Sequence, residues 1–147
     1  HHARRAHLYS KDKYGPRYMA AQALLQLGRV EQAEHLARWA LEDSPTSPWS
    51  YPLLAEIMRK KGELAIARRL LEHSLFIQPD SAQNHLLMML VARDIGDEPL
   101  LAQSRETLLD LLGDKAVADF LDILPLLREG PIAAASREEM LALFPDH

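Results

Sequence analysis

Apolar and small residues recur at spacings of three and four along most of this chain, which is the pattern of one face of an α-helix. The apolar stripes are interrupted at short intervals by glycine, proline and serine, which end helices and form turns. The pattern therefore predicts a succession of helices joined by short turns. The predicted helices cover residues 17–27, 30–43, 48–62, 63–77, 82–94 and 98–112.

The glycines and prolines between the stripes follow a fixed period. Four glycines are evenly spaced along the chain: Gly28, Gly62, Gly96 and Gly130. Pro45 and Pro79 keep the same spacing, and so do Ala33 and Ala67. Agreement of several residue types at one period of about 34 residues is typical of stacked structural repeats.

Two local signals predict helix starts, and a proline is expected to strain the first of these helices. Ser47 followed by Pro48 predicts an N-cap with proline in the first helical position. Pro52 then lies about one turn into that helix, where we expect some strain. Asp97 with Pro99 predicts the start of the sixth helix.

The last part of the chain departs from the regular pattern. Residues 116–128 are apolar almost all round, and such a helix needs covering on more than one side. Ser136 with Glu139 fits a capping box, which predicts a final helix that ends near Phe144.

Residues 14–81 resemble two tetratricopeptide (TPR) repeats, whose signature combines small residues in both helices with a proline after the second. Arg17 departs from that signature, because it stands where the family has an aromatic residue. The resemblance implies an all-α fold, an α-solenoid of stacked antiparallel helix pairs with about three repeats and a C-terminal capping hairpin. The matching residues are Ala21, Leu24, Ala33, Ala40 and Pro45 in the first copy and Tyr51, Leu54, Ala55, Ala67 and Pro79 in the second.

On this basis the whole chain, residues 1–147, is interpreted as a single TPR-like domain. Two alternatives stay open for the first residues, which are either the end of a preceding repeat or a short cap. Two also stay open for the last residues, which form either a divergent repeat or a cap. The domain divides into a first segment (1–13), two repeats (14–47 and 48–81), a degenerate repeat (82–113) and a last segment (114–147).

Charge and composition narrow the function. The formal net charge of −4 gives no electrostatic basis for binding nucleic acid. The chain has no cysteine, so disulfides and thiolate metal sites are excluded. No apolar run approaches the length of a membrane span, so we expect no direct membrane insertion of this fragment. The chain does not begin with Met, and we expect a cytoplasmic or periplasmic domain cut from a longer parent, which can itself be anchored in a membrane.

The resemblance also implies where a partner binds, since the first helix of each TPR pair lines the concave side. A groove of that kind suits an extended peptide or an amphipathic helix of a partner protein. An alternative stays open, in which the final helix of the chain itself fills the apolar half of the groove. The predicted partner-binding residues are Tyr18, Gln22, Trp49, Glu56, Arg59, Lys60, Leu86, Leu90 and Arg93.

The sequence predicts no catalytic, cofactor or metal site. It contains no phosphate-binding glycine loop, no nucleophile elbow and no paired acidic motif. The carboxylate clamp by which some TPR proteins hold chaperone termini also lacks its Lys, Asn and Arg residues here. The chain is therefore interpreted as a non-catalytic scaffold for protein–protein interaction within a larger complex.

Two alternative functions accompany this interpretation. The domain can serve as a homo-oligomerisation module, with Trp39 and Phe76 of the second helices as contact residues, although packing against the neighbouring pair is the favoured interpretation of both. The repeats are also similar to the soluble repeat domains of bacterial membrane-associated assembly and exopolysaccharide-secretion machines, and that likeness rests on analogy alone.

Overall fold

A computed structural model describes residues 16–47, 49–113 and 137–145 of the chain. Within these ranges all regular structure is helical, and no strand occurs. The helices are α1 (16–26), α2 (Val30–Asp43), α3 (Ser50–Lys60), α4 (Leu64–Ile77), α5 (Ala82–Ile95), α6 (Glu98–Leu112) and α7 (Arg137–Ala142).

Helices that follow one another in the chain pack on one another. Helix α2 contacts α3, α3 contacts α4, α4 contacts α5, and α5 contacts α6. Two further contacts join α3 to α5 and α5 to α7. The predicted all-α class is therefore confirmed, as a set of helices that pack in adjacent pairs.

The structure repeats with the period of the sequence. Helices α2, α4 and α6 begin at Val30, Leu64 and Glu98, which are spaced as evenly as the glycines. The turn before each of them contains a glycine with φ of 80°, 83° or 87°, a left-handed conformation that is unfavourable for other residues. These glycines are Gly28, Gly62 and Gly96, and the space where a Cβ would stand is open at all three. Glycine is thus required there by the backbone and not by crowding.

The start of α3 differs from the prediction. The helix begins at Ser50 instead of Pro48, which lies outside the described residues, so the predicted N-cap at Ser47 is wrong. The hydroxyl of Ser47 instead accepts a hydrogen bond from the Trp49 N–H at 3.3 Å. Because the helix starts later, Pro52 is its third residue, where a backbone N–H has no helical partner in any case. The strain expected at Pro52 therefore does not arise.

The starts of α5 and α6 are capped by side chains. The Ser81 hydroxyl accepts from the Asn84 N–H at 3.2 Å, and Asp97 accepts from the Leu100 N–H at 3.1 Å. The predicted helix start at Asp97 is confirmed, since α6 begins at Glu98. The Asn84 side chain also donates to the Ser74 hydroxyl at 2.7 Å, a buried hydrogen bond that joins α4 to α5.

Burial divides the helices into two kinds. Each of α2, α4 and α6 buries one narrow stripe, while α3 and α5 are buried on every side along most of their length. Residues 52–59 and 86–92 have no exposed member. A helix that is buried all round must be covered on both sides, so α3 and α5 form the centre of the described structure. We call α2, α4 and α6 the outer helices. Their buried stripes are Ala33, Ala37 and Ala40 in α2, Ala67, Leu71 and Ser74 in α4, and Leu101, Ser104 and Leu108 in α6.

Ion pairs on the surface connect one helix pair to the next. Lys61 after α3 bonds Glu34 of α2, and Arg68 of α4 reaches the Asp97 carboxylate at 3.2 Å. Glu34 and Arg68 hold the same position in successive copies of the repeat. Each makes an ion pair with the neighbouring helix pair, but the residue at this position is acidic in α2 and basic in α4. Exposed pairs of this kind stabilise a fold by only about 0–1 kcal/mol each.

The aromatic residues of the second helices behave differently from one another. The side chain of Phe76 is 86% exposed, so its predicted packing against the neighbouring pair is wrong. It follows the buried Leu71 by five residues, which turns it well away from the buried stripe of α4. Trp39 is 45% exposed, and the guanidinium of Arg17 lies 3.5 Å from its ring centroid.

The remaining predictions concern the two ends of the chain. Helix α7 ends at Ala142, two residues before the predicted end near Phe144. The predictions for residues 1–13, 116–128 and Ser136 lie outside the described residues.

Candidate partner-binding face

One face of the two central helices carries most of the predicted partner-binding residues, and we call it the inner face. Residues three and four apart lie on the same side of a helix. Glu56 and Arg59 share that side on α3, and Leu86, Leu90 and Arg93 share it on α5. Together with Asp94 of α5, which bonds Arg59, these residues define the inner face.

A buried ion cluster lies at the end of this face. Arg59 donates from Nε and Nη2 to the two carboxylate oxygens of Glu56, at 2.6 Å and 2.7 Å. Its remaining nitrogen, Nη1, donates to Asp94 at 2.9 Å. Glu56 is 1% exposed and Arg59 6% exposed, so the pair is screened from water and holds a two-pronged geometry that only arginine supplies.

The pKa values in the cluster follow from burial and pairing. Burial raises the pKa of the Glu56 carboxyl, against the hydrogen bonds from Arg59. Burial alone would lower the pKa of Arg59, but the hydrogen bonds to Glu56 and Asp94 raise it above the ordinary value. Partial burial acts to raise the pKa of Asp94, yet hydrogen bonds from Arg59 and Arg93 hold it below 3.8. The cluster therefore keeps Arg59 charged and satisfied by α3 and α5 alone.

Residues 137–145, which we call the docked segment, cover the inner face. Met140, Leu143 and Phe144 are between 0% and 1% exposed. They belong to the same hydrophobic cluster as Leu86 and Leu90. Helix α7 contacts α5, so a segment of the chain itself packs on the helix that carries Leu86 and Leu90.

Polar contacts fix the docked segment to three helices. One carboxylate oxygen of Glu139 lies 3.3 Å from Arg93 of α5, and the other lies 3.8 Å from Arg59 of α3. Arg105 of α6 donates to the backbone carbonyl of Leu143 at 2.8 Å, just past the end of α7. The segment therefore combines a carboxylate directed at two arginines with an apolar face.

The structure separates the predicted partner-binding residues into groups. Those at the Arg59 end of the face lie together with the docked segment, whereas Trp49 lies ten residues earlier, roughly 15 Å away along α3. These residues also differ in burial. The buried ones are Gln22, Glu56, Arg59, Leu86 and Leu90, the half-buried ones are Tyr18 and Arg93, and the exposed ones are Trp49 and Lys60.

Sequence reasoning left open that the final helix fills the apolar half of the groove, but it named none of the residues of the docked segment as members of this site. Glu139 was expected to cap its own helix, and its ion pairs with Arg59 and Arg93 were not expected. The signal that points to it is the pairing of Glu139-Met140 with Leu143-Phe144, which sets an acidic group beside a short apolar face.

Comparison with known proteins adds no assignment. No protein-family model matches the chain, and no curated protein matches it.

In the part of the chain that the structure describes, no three His, Asp or Glu side chains are placed to hold a metal ion. None of the helices described there has both the length and the apolar character needed to cross a membrane.

The lowered pKa of Asp94 predicts a pH-dependent contribution to stability. A carboxylate with a depressed folded-state pKa stabilises the fold above its unfolded pKa, about 3.9, and loses that effect as pH falls through the folded pKa. Asp94→Asn is therefore expected to lower the free energy of unfolding by about 1 kcal/mol near neutral pH. The difference from the wild type should shrink steadily from about pH 5 downward, in urea titrations across the pH range.

The exposed carboxylate of Asp110 on α6 provides the matched control. Asp110→Asn should leave the stability curve within about 0.5 kcal/mol of the wild type. A difference for Asp94→Asn that stays constant down to about pH 2.5 would show that its ion pairs with Arg59 and Arg93 do not stabilise the fold.

Proposed function

We propose that this chain is a non-catalytic protein–protein interaction scaffold that binds a peptide or helix of a partner on the surface formed by α1, α3 and α5, which includes the inner face and Trp49, as part of a larger complex. One observation carries the proposal. The inner face already holds one short helical segment, residues 137–145, by a carboxylate–arginine contact and three buried apolar side chains. Helix-in-groove recognition uses the same two kinds of contact.

The architecture that we propose is a TPR-like α-solenoid. Its support is the recurrence of left-handed glycines, and of the starts of α2, α4 and α6, at one constant period. Small residues are buried at that period in α2 and α4, at Ala33 and Ala67 and at Ala40 and Ser74. Contacts between successive helices also favour it, since each pair in a solenoid packs on its neighbours. In such an array the first helices α1, α3 and α5 would line one continuous surface.

The part of this surface that a partner can reach first lies away from the docked segment. Trp49 is 51% exposed at the start of α3, and Lys60 is exposed at its end. Exposed tryptophan contributes strongly to binding when a partner buries it, because it adds a large contact area with few rotatable bonds. Trp49 is therefore the residue with which to test the surface.

The proposal is tested by affinity capture from lysate of the source cells with the wild type and two matched tryptophan and phenylalanine variants. Trp49→Ala removes the exposed aromatic of α3, and Phe76→Ala removes an exposed aromatic of the outer helix α4. We expect the wild type and Phe76→Ala to capture the same partner. The amount captured by Trp49→Ala should be lower by at least about tenfold, since a central aromatic contact is worth roughly 2 kcal/mol or more. Equal capture by all three proteins would contradict binding on this surface.

Homo-oligomerisation is a second candidate, and the exposure of Phe76 favours it. The side chain of Phe76 is 86% exposed, and self-association through α4 would remove that apolar surface from water. Light scattering over a concentration series separates the two functions. A mass that rises with concentration in the wild type and stays monomeric in Phe76→Ala would support the second candidate, and a constant monomer mass would exclude it.

A further inference from the structure

The docked segment has a simple chemical pattern. Met140 lies in α7, and Leu143 and Phe144 follow the end of that helix, where the Leu143 N–H donates to the Met140 carbonyl at 3.2 Å. All three side chains are buried. Glu139 precedes Met140 and points its carboxylate at Arg93 and Arg59. The pattern is an acidic residue followed by an apolar one, two further positions, and then two apolar residues.

The inner face is complete in its charges without this segment. Arg59 keeps three hydrogen bonds to Glu56 and Asp94, and Arg93 keeps its contact with Asp94 at 2.9 Å. Departure of the segment would therefore leave no buried charge without an opposite charge on α3 or α5. What the face would then present is an apolar surface beside arginine, open to any segment of matching chemistry.

We infer that the docked segment is an intramolecular stand-in for the partner, and that the partner binds through a short segment, helical at its acidic end, with the same acidic–apolar–x–x–apolar–apolar pattern. This inference rests on the proposed function and names the chemistry of the partner. The partner gains its place by displacing residues 137–145. Because a tethered segment competes at an effective concentration in the millimolar range, only a matching segment with additional contacts outside this pattern displaces it readily.

A second copy of the chain is a poorer occupant than a separate partner. Exchange of docked segments between two copies forms the same contacts that each copy already makes within itself. The tethered contact is favoured at ordinary protein concentrations, since its effective concentration is far higher. The binding segment of a separate protein is not already held by an inner face in its own chain, so it does not have to leave such a face before it binds here.

The test uses the full chain with Phe144→Ala and a fluorescent peptide with the wild-type sequence of residues 136–147. Removal of the phenylalanine ring weakens the tethered segment, because a buried Phe side chain contributes strongly to packing. We expect the peptide to bind this variant at least about tenfold more tightly than it binds the wild-type chain, in fluorescence anisotropy titrations.

Two altered peptides test the chemistry of the match. A peptide with Glu139→Lys should bind the Phe144→Ala chain at least about tenfold more weakly, since it sets a cation against Arg93 and Arg59. Glu138 is exposed and serves as the matched control, so a peptide with Glu138→Lys should bind within about threefold of the unaltered peptide.

The inference is overturned if the Phe144→Ala chain keeps its helical circular dichroism and binds no peptide, or binds the Glu139→Lys and unaltered peptides equally. Should Phe144→Ala fail to fold, Met140→Ala replaces it with the same expected results. A dimer of the wild type that Phe144→Ala abolishes would assign the face to a second copy and would also overturn it. Capture of a partner that depends on Trp49, without peptide binding, would reject the stand-in and leave the scaffold function intact.

Discussion

Replacement of Arg59 by alanine is expected to lower the free energy of unfolding by about 3–5 kcal/mol. The reason is the carboxylate of Glu56, which is 1% exposed and receives two hydrogen bonds from Arg59. Without the guanidinium that carboxylate stays buried and unpaired, or must take up a proton to fold. Urea denaturation followed by circular dichroism measures the loss.

The control for this change is the next residue, Lys60, which is exposed. Lys60→Ala should change stability by less than about 0.5 kcal/mol. The double variant Glu56→Leu/Arg59→Met should recover much of the loss, because apolar residues of similar volume often replace a buried ion pair without cost. Equal losses for Arg59→Ala and Lys60→Ala would contradict the buried cluster.

Replacement of Leu90 by alanine is expected to lower the free energy of unfolding by about 2–5 kcal/mol. Leu90 is completely buried in the cluster that contains Met140, Leu143 and Phe144. If the inner face were an open groove, the same change would remove a solvated side chain and cost little. Thermal and urea denaturation therefore distinguish an occupied inner face from an open one.

Trp49→Ala is the matched control for a residue of α3 that remains exposed. It should alter stability by no more than about 1 kcal/mol while it affects partner capture. An unchanged denaturation midpoint for Leu90→Ala would contradict the complete burial of this side chain.

Most helices could be predicted from the sequence because their signals are local. The ends of α2, α4, α5 and α6 lie within one residue of the predicted positions, since amphipathic stripes and left-handed glycines act within a few residues. The start of α3 was misplaced because Ser47 and Pro48 satisfy the general rule for a helix start. The hydroxyl of Ser47 instead bonds the Trp49 N–H, which holds a turn before the helix.

The candidate site could be predicted only in part. Helical spacing placed Glu56 with Arg59, and Leu86 with Leu90, on common faces. Spacing does not say what covers a face, so the sequence left open whether the final helix fills it. The answer depends on a contact between Arg93 and Glu139, which are 46 positions apart, and no local signal encodes such a contact. Two arginines attract the Glu139 carboxylate more strongly than a single backbone N–H would.

The docked segment also bears on how the chain folds. Arrays in which each unit touches only its neighbours can melt stepwise from an end. Here the contacts of Glu139 with Arg93 and of Leu143 with Arg105 bridge 46 and 38 positions and tie the late part of the chain to its middle. Closing such long loops slows folding and makes melting more cooperative. If a partner displaced the docked segment, as inferred above, these bridges would be lost, and we would then expect the helix pairs to fluctuate more independently.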